Sequence, residues 1–152
     1  MACGYHACGI ALDLLGLQNP VNDEMIATFR NHGAKRRGVD SAALIQKGVV
    51  WNALRAFLAK IGSIDVKVAD HNLFHGNGCG VEGLAQLGLP DGIYIVGGIS
   101  TEKIGHAFIL EISFNGESVT VHDNDGIGNV NELHQWFGEI SYVRRLTPVQ
   151  KN

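Results

Sequence analysis

At 152 residues, with 45% hydrophobic and 18% charged residues, the chain has the length and apolar content of one folded domain, 1–152, with a packed core. A net charge of −3 supplies no basic field for nucleic acid, and Lys35, Arg36 and Arg37 read as a short solvated cluster. No apolar run approaches the roughly 20 residues of a membrane span, the first residues lack the regions of a secretion signal, and Cys3, Cys8 and Cys79 are too few and too uneven for a disulfide framework, so the expectation is a soluble cytoplasmic monomer in a reducing compartment.

The chain reads as helices followed by strands. Ala7, Ile10, Ala11 and Leu14 recur at helical spacing, predicting a helix from Cys3 to Leu15 that stops at Gly16. A second helix is predicted over Asn22–Arg30, with Asn22 or Asp23 as cap and Met25, Ile26 and Phe29 on one face. After the loop His32–Gly38, Asp40 or Ser41 opens a helical region reaching Lys60, with a break at Gly48 and with Leu54, Phe57, Leu58 and Ile61 facing inward. Beyond Gly62 the period becomes two. Ile64, Val66 and Val68 alternate with Asp65 and Lys67 as in a half-buried strand, and Ile93–Val96, His106–Ile112, Ser118–Asp123 and Ile140–Arg144 continue the sheet. Short helices are placed at Val81–Leu87 and Val130–Phe137, and Asp70–Gly80 is a Gly-, His- and Asn-rich loop. Helices first and antiparallel strands later define an α+β domain.

Within that order a few residues carry chemistry. Cys3 sits at a helix start, where the positive end of the dipole favours a thiolate and the first N–H groups can receive an oxyanion; Gly4 lets a carbonyl approach the backbone. By itself the feature fits a small residue at a chain end better than a nucleophile. The pair Asn115-Gly116 is the preferred centre of a two-residue hairpin turn. With Phe114 facing Glu117, Phe108 lies opposite Asp123 and His106 opposite Asp125, so His106 and Phe108 share a face with Asp123 and Asp125 while His122 and Asn124 point the other way. Asp123 is the diagonal neighbour of His106 and Asp125 the direct one. Asp123 is preferred because Gly126 and Gly128 end the pairing near Asp125, and a turn of odd offset would promote Asn124 instead.

These residues resemble the papain-like cysteine peptidases, and among them the Josephin-type deubiquitinases. The similarity is carried by Cys3-Gly4-Tyr5-His6 opening the first helix, by Val50-Trp51-Asn52-Ala53-Leu54 in a later helix, and by Gly105-His106-Ala107-Phe108 on a strand, in the order Cys, His, then Asn or Asp. The resemblance implies a papain-like fold, with N-terminal helices carrying the nucleophile packed on a C-terminal antiparallel sheet that carries His and Asp. It implies Cys3 as nucleophile, His106 as general base and Asp123 as the residue fixing the imidazole. It also implies hydrolysis after the C-terminal glycines of ubiquitin or a ubiquitin-like modifier, without metal or organic cofactor, and action in host cytosol if the chain is a pathogen effector. The family carries a Gln or Asn upstream of the nucleophile as oxyanion donor, and here only Met1 and Ala2 precede Cys3.

Four other readings stand beside this one. Cys8, in the repeated Ala-Cys-Gly, is a second candidate thiol, but it lies inside the predicted helix where it should be packed. Cys3, His6 and Cys8 with Cys79, His71 or His75 offer soft ligands for zinc, at a spacing that matches no common site. The same triad also serves a peptidase or acyltransferase acting on another protein, and the same fold serves a catalytically silent binding module. Trp51 and Trp136 read as core or cleft wall.

Overall fold

The computed structural model describes residues 3–29, 51–60, 66–68, 88–100, 105–123, 126–129 and 137–148. The loop His32–Gly38, the helix start at Asp40 or Ser41, the helix Val81–Leu87, the loop Asp70–Gly80 with His71, His75 and Cys79, and Asn124, Asp125 and Trp136 lie outside the described residues, as do the side chains of Cys3 and Trp51.

Helix α1 spans Cys3–Leu14. Residues 23–29 form α2, capped as the sequence predicts: the Asn22 Oδ1 accepts the Met25 N–H at 2.7 Å, satisfying an amide that the first helical turn leaves without a partner. Helix α3 is Trp51–Lys60. The strands are β1 Val66–Val68, β2 Gly92–Ser100, β3 Gly105–Ser113, β4 Ser118–Asp123, β5 Gly126–Asn129 and β6 Phe137–Pro148. They make one six-stranded antiparallel sheet in the order β1-β6-β2-β3-β4-β5. The chain is therefore α+β, with its described helices in the first half and most of its described strands in the second.

Two expectations are corrected. Phe137 does not end a helix over Val130–Phe137; it opens β6, whose pairing to β2 begins at Ser100↔Phe137. The other residues of that span lie outside the described residues. Gly126 and Gly128, expected only to end the hairpin's pairing, form a strand of their own: the β3–β4 ladder stops at Ile109↔His122, and Gly126 opens β5, which pairs Asp123↔Gly126 and Val121↔Gly128. Glycine weakens a strand by its own propensity, so the neighbouring β4 ladder, and not the local sequence, makes this segment a strand.

The sheet buries both of its faces. Ile93, Ile95, Ile109 and Leu146 pack with Tyr5, Ala7, Cys8, Ala11 and Leu12 of α1, Ile26 of α2, and Leu54, Phe57 and Leu58 of α3. The alternate strand residues Tyr94, Val96, Phe108, Leu110, Val121, Ile140 and Val143 form a second core. Period-two alternation puts these sets on opposite faces, so α1, which lies across β2, β3 and β4, covers the Ile109 face. Tyr5, Phe29 and Phe57 lock the three helices together edge to face, with centroids 4.9–5.8 Å apart. Among the described residues no helix is long and apolar enough to cross a membrane.

Candidate active site

The β3–β4 hairpin builds the site. Its turn keeps the predicted register but is longer than the expected two residues: Phe114, Asn115 and Gly116 have φ of 55°, 57° and 87°, the ladder stops at Ser113↔Ser118, and the Glu117 N–H donates to the Phe114 carbonyl at 3.2 Å, with glycine taking the largest of these φ values without strain. Asp91 clamps the turn from outside, its two carboxylate oxygens each accepting an N–H, from Asn115 and Gly116, at 2.9 Å. Behind this turn the ladder runs Ser113↔Ser118, Ile112↔Val119, Leu110↔Val121 and Ile109↔His122, which is the predicted register.

That register delivers the predicted pair. His106 Nε2 and Asp123 Oδ2 are 2.8 Å apart, with side chains only 14% and 17% exposed. His106 precedes Phe108 by two residues and Asp123 follows Val121 by two, so both leave their strands on the face of the second core. Asp123 engages Nε2, so a proton exchanged with a reacting group would pass through Nδ1. A carboxylate in this position fixes the ring orientation and stabilises the imidazolium formed during proton transfer.

On the opposite face the same hairpin carries a second pair, His122 Nε2 and Glu111 Oε1 at 3.1 Å. The expectation that His122 points away from His106 is met. The sequence reading passed over Glu111 as an acid; its signal was available, since Glu111 and His122 are diagonal neighbours in the predicted register.

Of the thiols, Cys3 is the first residue of α1. Cys8 is fully buried in the helix–sheet core, and burial pushes its thiol up from 9.0 to about 12, only partly offset by a backbone hydrogen bond. A group so protonated is neither nucleophile nor ready metal ligand at neutral pH. Among the described residues no group of three or more His, Cys, Asp or Glu side chains is arranged to hold a metal ion. Comparison of the chain with protein-family models, with curated proteins and with solved structures finds no match.

Proposed function

We propose that the chain is a papain-like thiol hydrolase with Cys3 as nucleophile, His106 as general base and Asp123 as the orienting acid. The observation that carries the reading is the half-buried 2.8 Å His106–Asp123 pair, set by the hairpin register, with a cysteine at a helix start far upstream. In this mechanism His106 Nδ1 takes the Cys3 proton and the thiolate attacks the scissile carbonyl. The N–H groups at the start of α1 receive the oxyanion, and the imidazolium protonates the leaving amine; water then hydrolyses the thioester. Since α1 covers the Ile109 face and the pair leaves the other, this mechanism requires the amino end of α1 to reach the pair around the end of β3 at Gly105.

The substrate we propose is the bond after the C-terminus of ubiquitin or a ubiquitin-like modifier, on the strength of the resemblance in the Cys3, Trp51 and His106 segments. A panel of electrophilic C-terminal probes built on these modifiers, read by intact mass, tests it. The expected result is an adduct that disappears in Cys3→Ala and His106→Ala. A folded protein whose Cys3 reacts with a small alkylating agent but with no modifier probe would reassign the substrate to another protein. An inert Cys3 would end the enzyme reading in favour of a binding module.

One observation favours a second arrangement: His122–Glu111 lies on the face that α1 covers. In it the thiol is unchanged and His122 is the base; adduct formation that survives His106→Ala and fails in His122→Ala selects it.

A further inference from the structure

The segment after α1 does not leave the helix; it runs back along it. Asn19 Nδ2 donates to the Asp13 carboxylate at 3.0 Å. One helical turn nearer the amino end, Gly9 meets Asn19 and Val21 so closely that a Cβ there would lie 2.9 Å from the Asn19 Oδ1 and 3.1 Å from Val21. Nearer still, His6 Nε2 lies 3.1 Å from Asp23 Oδ1, and the Tyr5 ring meets Phe29 edge to face. As the chain advances from 19 to 29, its contacts on α1 step back from 13 to 9, 6 and 5. The His6–Asp23 pair lies one helical turn from Cys3, and residues three apart on a helix have Cβ atoms about 5–6 Å apart.

We propose that His6, held by Asp23, is a positioning residue for Cys3: the pair ties the first turn of α1 to the start of α2 and keeps a second imidazole one turn from the nucleophile, where positive charge favours a thiolate. The inference rests on Cys3 being the nucleophile. Of the charged groups on elements packed against α1, namely Asp23 and Glu24 on α2, Lys60 on α3, and Glu111, His122, His106 and Asp123 on the hairpin, Asp23 is the one bonded to His6. Exposed as it is, at 93%, its carboxylate adds little to overall stability, so its effect should appear in thiol reactivity and not in folding.

The test is the pH profile of Cys3 alkylation by iodoacetamide, followed by intact mass in a Cys79→Ser background with Cys8 protected by burial. In His6→Gln the midpoint should rise by at least half a unit, a threefold or greater loss of rate at neutral pH. His6→Lys, which keeps a cation within reach of Asp23, should recover most of that loss. Asp23→Asn should raise the midpoint in the wild-type background and leave it unchanged in His6→Gln. A midpoint that stays put in His6→Gln while moving in His106→Ala overturns the inference and leaves the proposed nucleophile in place. A Cys3 midpoint that ignores both histidines overturns both. If Asp23→Asn lowers the midpoint whether or not His6 is present, the carboxylate acts directly on the thiol and the inference also fails. Should His6→Gln not fold, Asp23→Asn carries the test alone, since its side chain stands in solvent.

Discussion

The alkaline stability of the protein should report the burial of Cys8 directly. Below pH 9 this thiol is protonated folded or unfolded; above it the unfolded chain gives up the proton while the folded chain holds it until about pH 12. The folded-state value is raised, so the associated stability is complete below the unfolded value and is lost as pH climbs from 9 towards 12. From pH 8 to 10.5 the loss attributable to Cys8 integrates to about 2 kcal/mol. The assay is urea unfolding of wild type and Cys8→Ala at half-unit steps across that range. Truncating the thiol costs about 1–2 kcal/mol of packing at every pH, so wild type starts ahead and the gap closes, or reverses, by about 2 kcal/mol. Tyr94, pushed up mainly by burial, titrates in both proteins and cancels in the difference. A gap that stays constant from pH 8 to 10.5 would refute the reasoning, and with it the argument that removes Cys8 from the list of nucleophiles.

The remaining expectations concern the hairpin. Asp123→Asn should lower kcat/KM on any substrate found by about 10²-fold or more, with the far-ultraviolet circular dichroism unchanged. His122→Ala should leave turnover within twofold of wild type and lower stability by no more than about 1 kcal/mol, because its partner Glu111 is about a third exposed; chemical denaturation and steady-state rates check both. Asp91→Ala removes the acceptor of two turn N–H groups and should cost about 1–3 kcal/mol by urea melt. Gly116→Ala, at φ 87°, should cost about 1–2 kcal/mol by the same measurement.

What the sequence made legible follows local chemistry. Asn115-Gly116 marks a turn from which a register follows, and in that register His106 shares a face with both Asp123 and Asp125; Asp123, the diagonal neighbour, is the one it meets. Asn22 announces the start of α2 because a side-chain acceptor at that point satisfies the Met25 amide. Cys8 could be placed in the core because a helix interior dictates it. The unread parts are those where pairing overrides propensity. Gly126–Asn129 has little strand-forming character beyond Ile127 and is a strand through β4. Strand β6 runs through Phe137–Pro148 because it pairs with β1 on one side and β2 on the other, whereas its alternation alone marks only Ile140–Arg144. The clasp of His6 on Asp23 was unread for a different reason: it depends on a loop folding back, which no periodicity records.

The two-sided hairpin has a mechanical consequence. Its ribbon carries an imidazole–carboxylate couple on each side, and a slip of one residue between β3 and β4 would exchange the sides and re-deal which ring meets which acid. The stop against that slip is the grip of Asp91 on the tip, some eight residues and roughly 26 Å of strand from His106. Which imidazole meets which carboxylate is thus set in part at the far end of the ribbon, and a lesion there would mis-index the histidines while both rings and both acids remained in place.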